Sequence, residues 1–247
     1  MTALHKFDMA SSAARKKVIV LSGLGLLLIV LAVLIRLSPE SAGESAVMTW
    51  IRSMYAPGLD RLMESVSRFT NQPGLMLGPV TALVFLLRGR IRHAVIFSSV
   101  ALVVAVTVYV LDFSLGEIAG RGRPLPYETR PSYPSGHTSG STWFFVFLMF
   151  LVIRSGATDL GKGLVTGGLG TLVLLVGLSR IFLHRHWPLD VIGGYALGVL
   201  AAICAIWLFD RLMAERSLSG WLFWINRDRE PKSEYVTAGN KSFIGSA

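Results

Sequence analysis

The chain has 247 residues, of which 52% are apolar and 16% charged, with a mean hydropathy of +0.56. Soluble domains carry roughly 25% charged residues, so this composition excludes an ordinary water-soluble globule. The net charge of +9 does not indicate nucleic-acid binding, because the basic residues are scattered between long apolar runs. The single cysteine, Cys204, excludes an intramolecular disulfide and a cysteine-based metal cluster, and it reads as a small buried hydrophobe.

In chain order, the first candidate span is Val18–Leu37, directly after Arg15-Lys16-Lys17. A run of about 20 apolar residues crosses a bilayer as a helix. It is longer than the apolar stretch of a signal peptide, and no small-residue cleavage site follows, so it is expected to be retained. Ser38–Pro73 is too polar to cross. Trp50, Ile51, Met54 and Tyr55, then Leu59, Leu62, Met63, Val66 and Phe69, recur at helical spacing on either side of Pro57-Gly58. This predicts two amphipathic helices lying on the membrane surface.

Five further spans are expected at Gly74–Leu87, Ala94–Ile118, Thr138–Ile153, Leu164–Leu183 and Leu189–Leu212. Glycines are dense in the fifth span (Gly163, Gly167, Gly168, Gly170, Gly177) and at the start of the sixth (Gly193, Gly194, Gly198). Such small residues let helix backbones approach closely in lipid. Trp221–Ile225 is expected to touch the membrane interface, and the tail beyond Asn226 has too little hydrophobicity to fold.

Positive charge orients the spans. With the N-terminus in the cytoplasm, every lysine falls inside, and only nine arginines fall outside: Arg36, Arg52, Arg61, Arg68, Arg121, Arg123, Arg130, Arg180 and Arg185. The expected organisation is a cytoplasmic segment 1–17, a six-helix membrane domain 18–212 with an outer amphipathic segment 38–73, and a cytoplasmic tail 213–247. The fold class is an all-α, six-transmembrane-helix bundle with its site at the outer interface.

Two outer loops concentrate the chemistry. One holds Gly120-Arg121-Gly122-Arg123-Pro124 and Arg130-Pro131-Ser132-Tyr133-Pro134-Ser135-Gly136-His137. The other runs from Ser179-Arg180 through His184-Arg185-His186-Trp187-Pro188 to Asp190. Arginine presents a planar fork of donors to phosphate oxygens. Ser135-Gly136-His137 opens a span, where helix N–H groups favour an anion. His186 and Asp190 are four apart across a helix start, so the carboxylate can hold one imidazole nitrogen while the other acts as nucleophile or base. His137 is then available as a general acid.

This combination resembles the type 2 phosphatidic acid phosphatase superfamily, whose pattern is Lys-x6-Arg-Pro, Pro-Ser-Gly-His and Ser-Arg-x5-His-x3-Asp. The second element is complete as Pro134-Ser135-Gly136-His137 and the third as Ser179-Arg180…His186…Asp190, so the likeness runs over about 116–190. The resemblance implies that His186 attacks phosphorus to give a phosphohistidine, with Asp190 holding its tautomer. It implies that His137 protonates the leaving group and that Arg123, Arg180, Ser135 and Gly136 hold the phosphoryl oxygens. No metal and no cofactor is implied.

The first element departs from the pattern: Gly116 stands where the family has lysine. Losing one cation against developing charge costs on the order of 10²–10³ in rate, unless Arg121, Arg130 or Arg185 replaces it. His184 and Arg185 occupy positions the pattern leaves free and are auxiliary candidates. Asp112, near the outer end of the third span, is expected to pair with a loop arginine. Arg36 is expected to snorkel, and His5 and His93 to be solvated on the cytoplasmic side.

The expected function is metal-independent hydrolysis of a lipid phosphate or diphosphate at the outer leaflet of a bacterial plasma membrane. Isoprenyl pyrophosphate, phosphatidylglycerophosphate, phosphatidic acid and glycolipid phosphates are the candidate substrates, and the bilayer is the other partner. Alternatives are a lipid phosphotransferase, or a lipid-phosphate binder or transporter without catalysis. An ion channel fits poorly, since the ionisable groups cluster at one face.

Overall fold

In a computed structural model the described residues are 3–39, 41–69, 73–125 and 130–215, and all their regular structure is helical. The chain divides into a unit Met1–Met213 and a second unit from Ala214 on, of which only 214 and 215 are described. The interface segment expected at Trp221–Ile225 and the tail beyond Asn226 lie outside the described residues.

Eight helices follow in order: α1 (Ala3–Leu37), α2 (Ala42–Ser53), α3 (Pro57–Phe69), α4 (Pro73–Leu87), α5 (Ile91–Ala119), α6 (Gly136–Ile153), α7 (Asp159–Phe182) and α8 (Pro188–Ala214). Helix α1 starts well before the first expected span, so the basic cluster around Arg15 sits on the same helix as Val18–Leu37. Five helices are long and apolar enough to cross a membrane, and α4 contributes a shorter apolar stretch, Met76–Leu87. The chain is an integral, multi-pass membrane protein.

The core forms where α1, α5, α6 and α8 bring apolar faces together. Leu28, Phe97, Val100, Phe144, Phe145, Phe147, Ala202 and Ala205 are buried in one cluster, with the Phe97 and Phe147 rings stacked at 5.6 Å. Small residues of α8 make this approach possible. A Cβ on Gly198 would lie 2.5 Å from Thr142 Cβ, and one on Gly194 would lie 2.8 Å from the Ser135 carbonyl. These glycines seat the first turns of α6 on α8, as close backbone packing in lipid requires.

The expectation for α7 needs correction. Of the glycines expected to pack there, Gly177 is tightly packed, against Tyr195 and Val191, whereas Gly163, Gly167 and Gly168 face open space. Cys204 is exposed on α8 rather than buried. His93 is half-buried, its ring 5.6 Å from Phe85 and 6.5 Å from Phe209, so it packs among aromatics instead of standing in water. Arg36 is exposed, and its guanidinium lies against Gly120, whose φ of 61° ends α5.

Helices α2 and α3, expected on a membrane surface, pack inward. Both pack against α7, and each buries a polar side chain on its inner face, Glu44 in α2 and Ser67 in α3. At the opposite end of the bundle Arg154 pairs with Asp210, and Arg92 donates to the last carbonyls of α8 at Leu212 and Met213, 3.1 and 3.0 Å. Cations at helix C-termini satisfy orphan carbonyls and oppose the helix dipole.

Candidate active site

The site forms where the α5–α6 and α7–α8 loops meet the N-termini of α6 and α8. Helix α7 ends in a turn closed by His184 N–H to Ile181 O (3.0 Å) and Arg185 N–H to Arg180 O (3.0 Å). This paired pattern needs a left-handed residue just past the helix. His184 takes that conformation, with φ of 53°. The turn redirects the chain so that His186 points back into the protein, where it is 2% exposed in its side chain. Helix α8 then starts at Pro188, a residue suited to a first helical position.

His186 is held at both ring nitrogens. Nδ1 lies 2.8 Å from the Ser132 carbonyl, an oxygen that can only accept, so Nδ1 carries the proton. Nε2 therefore presents its lone pair, and the Arg123 guanidinium donates to it at 3.1 Å. Asp190 Oδ2 stands behind Nδ1 at 3.7 Å. The direct partner expected from the i, i+4 spacing is thus a carbonyl of the other loop, and the carboxylate forms the next layer. Burial holds the His186 pKa below the usual histidine range; Asp190 opposes that shift, and Arg123 and Arg180 add to it.

Asp190 is fully buried and satisfied from several sides. Its Oδ2 accepts from Trp187 N–H at 2.9 Å, and Arg121 approaches Oδ1 at 3.4 Å. Its carbonyl accepts from Ser135 N–H at 2.9 Å. The Ser135 amide is therefore committed, and the first-turn N–H groups of α6 available to an anion begin at Gly136. Ser135 Oγ accepts from Thr138 Oγ1 at 2.9 Å.

Arg123 also reaches the carbonyls of Arg185 (3.3 Å) and Arg130 (3.4 Å), which ties its fork to both loops. The Arg130 side chain is exposed. Arg180 is buried and donates through Nη1 to Ser67 Oγ at 2.5 Å. His137, at the start of α6, lies within electrostatic reach of Arg180, His186, Arg123 and Arg185. The structure thus gathers His137, His186, Asp190, Arg123 and Arg180 in one place.

Arg121 turns the other way. Its side chain is 1% exposed and pairs with Glu44 of α2, whose Oε1 also accepts from Leu189 N–H at 2.9 Å. The guanidinium stacks on Trp187 at 4.8 Å, and Trp187 Nε1 donates to Gly122 O at 3.0 Å. Glu44 and Ser67 are the site residues that motif reasoning missed. Their signal was a polar residue on the inward face of each amphipathic helix.

One expectation is corrected. Asp112 bonds to Ser139 Oγ at 2.9 Å, in place of a loop arginine. Gly116 is tight for any side chain: a Cβ there would meet Tyr133 O at 3.0 Å and Pro131 Cβ at 3.3 Å, so the loop would have to give by a few tenths of an ångström to admit a lysine. Among the described residues no cluster of three or more His, Cys, Asp or Glu is placed to hold a metal ion.

Comparison with known proteins gives a consistent set of likenesses. The family model of the PAP2 superfamily matches residues 112–214, which contain every ring and guanidinium just described. The chain is 37% identical over 78 residues to phosphatidylglycerophosphatase B of Bacillus subtilis, covering 31% of this chain and 38% of that protein. It is 27% identical over 170 residues to the putative undecaprenyl-diphosphatase YbjG of Escherichia coli, covering 62% and 80%. Its fold is similar to the crystal structure of a transmembrane PAP2 type phosphatidylglycerolphosphate phosphatase from Bacillus subtilis, with a TM-score of 0.66 and 26% identity over 79% of this chain and 98% of that one.

Proposed function

We propose that this chain, which belongs to the PAP2 superfamily, removes a phosphoryl group from a lipid phosphate or lipid diphosphate by way of a phosphohistidine. One observation carries the reading: the His186 Nε2 lone pair faces the Arg123 guanidinium while Nδ1–H is fixed on the Ser132 carbonyl. A phosphoryl group entering between them takes over the arginine and leaves Nε2 free to attack. The relatives named for lipid phosphates and diphosphates support the substrate class.

In this mechanism Nε2 bonds to phosphorus, and the bond from phosphorus to the leaving oxygen breaks. His137 gives that oxygen a proton. Arg123, Arg180 and the first-turn amides of α6 from Gly136 meet the charge on the remaining oxygens. Asp190 steadies the imidazole as it gains charge. Water then cleaves the N–P bond, releasing inorganic phosphate and restoring His186. The positive charge is supplied by side chains, so the cycle uses no metal.

The distribution of lysine supports an orientation with both termini in the cytoplasm and the site on the outer face of a plasma membrane. There the substrate's tails remain in the bilayer while its headgroup reaches the loops. Gly116 favours a second reading, a lipid-phosphate binder without turnover, and a phosphotransferase would share the first half of the cycle.

Phosphate release in detergent with EDTA present, from a panel of lipid phosphates, tests this. Release by wild type that His186→Ala abolishes is the expected result. Equal release from both, or none from either when the protein is folded, removes the proposal. Label passing to a second lipid identifies a transferase.

A further inference from the structure

A cavity of about 260 Å³ lies between α2 and the two site loops, lined by Ser45, Thr49, Arg52, Pro124, His184 and Trp187 among others. Two of its walls are the immediate neighbours of site residues: Pro124 follows Arg123 and Trp187 follows His186. The volume is just below the ~300–1,000 Å³ of sites that enclose a whole drug-sized ligand. It suits part of a headgroup. We infer that this cavity is a second anion subsite, built from Arg52 and His184, that receives the phosphate adjoining the reacting one in a lipid diphosphate.

Three observations carry this. Arg52 stands at the last turn of α2 with no carboxylate partner among the described residues, which leaves a cation facing a cavity. His184 occupies the left-handed position of the turn after α7, with φ of 53°. Glycine is the usual residue there, and a larger one in such a conformation at a ligand site is a pointer to function. Arg52 and His184 also sense each other: burial, and then the Arg52 charge, hold the His184 pKa below the usual histidine range. A neutral imidazole beside a guanidinium supplies one N–H and one charge, a pair suited to phosphate oxygens.

The inference rests on the reading of His186 as the attacking group. In a lipid diphosphate, Nε2 bonds to the terminal phosphorus, and the bond from that phosphorus to the bridging oxygen breaks. The electron pair stays on the bridging oxygen, which departs as part of the lipid monophosphate. On this inference Arg52 meets the charge that this step adds. A lipid monophosphate has no group to fill the cavity and gains nothing from it.

The test is the ratio of kcat/KM for farnesyl diphosphate over farnesyl monophosphate, with the full chain in detergent. Wild type should favour the diphosphate. Arg52→Gln and His184→Gly should each lower the ratio about tenfold or more, the scale of a lost charge-assisted hydrogen bond, and Arg52→Gln should keep monophosphate turnover within about threefold of wild type. His184→Gly relieves the backbone, so a loss of discrimination in that variant is not a folding defect. An unchanged ratio in both variants, or equal loss on both lipids, overturns the subsite.

Silence on both lipids in wild type counts against the phosphatase reading, and binding then decides the subsite. Methylenediphosphonate should bind more tightly than methylphosphonate by calorimetry, and Arg52→Gln should erase the difference. Equal affinities in wild type overturn the inference.

Discussion

Glu44 of α2 and Arg121 of the α5–α6 loop form a buried ion pair, and the same carboxylate accepts from Leu189 N–H at the first turn of α8. Arg121 in turn approaches Asp190. One carboxylate from the amphipathic segment therefore fixes the loop that carries Arg123 and the helix that carries Asp190. Breaking a buried ion pair from one side typically costs ~3–5 kcal/mol, because the remaining charge is stranded. Glu44→Ala should lower the melting temperature in detergent sharply. Glu44→Ala with Arg121→Met should lose less than the two single changes added together. Additive losses would mean that the pair is not coupled.

Asp190 acts on His186 from behind the Ser132 carbonyl, at 3.7 Å from Nδ1. Asp190→Asn should therefore cost about 10–10² in kcat, the scale of an indirect orienting partner, and well short of the ~10⁴ seen where the carboxylate alone fixes the tautomer. Burial holds the His186 pKa below the usual histidine range, so the acid limb of kcat/KM should lie below ~6.5. Asp190 raises that pKa against burial, so Asp190→Asn should move the acid limb lower still. The lowered folded value has a stability consequence of the same sign. Above ~6.5 the ring is neutral folded or unfolded; as pH falls from there through the folded value, the unfolded chain gains the proton first and stability is lost. Profiles of kcat/KM for the two proteins check both statements.

Restoring the family's lysine should not help. At Gly116 even a Cβ meets Tyr133 O at 3.0 Å and Pro131 Cβ at 3.3 Å, and that strand of loop supplies the Ser132 carbonyl to His186. Gly116→Lys should reduce phosphate release and the yield of folded protein. A variant that folds normally and turns over faster would show that the loop can give way.

His137 should matter in proportion to the leaving group. A lipid alkoxide needs a proton to depart, whereas a phosphate, with its second pKa near ~6, leaves with little help. His137→Gln should slow hydrolysis of phosphatidic acid by about 10²-fold or more and that of an isoprenyl diphosphate by clearly less. Equal losses on both substrates would assign His137 to binding rather than to proton transfer.

Much of this was legible in the residues. All six apolar runs lie in helices, five of them within about five residues of the expected bounds and the first inside a longer helix that begins at Ala3, because lipid leaves the backbone no alternative to internal hydrogen bonds. His137, His186, Asp190, Arg123 and Arg180 meet because Pro188, the turn at His184 and the glycine seat on α8 fix the loops that carry them. What escaped was long-range pairing. Arg121 and Arg123 are two apart and chemically alike, yet one binds Glu44 and the other His186. No local spacing separates those fates, which depend on where α2 packs. Ser67 on Arg180, and Ser139 on Asp112, were hidden for the same reason.

The central claim is a covalent intermediate on His186, and rapid quenching with a substrate labelled at its terminal phosphate tests it most directly. The account predicts an acid-labile, base-stable label on the peptide containing His186, absent from His186→Ala and accumulating when water attack is slowed. Steady turnover with no protein-bound label under those quench conditions, or label on another residue, would contradict it.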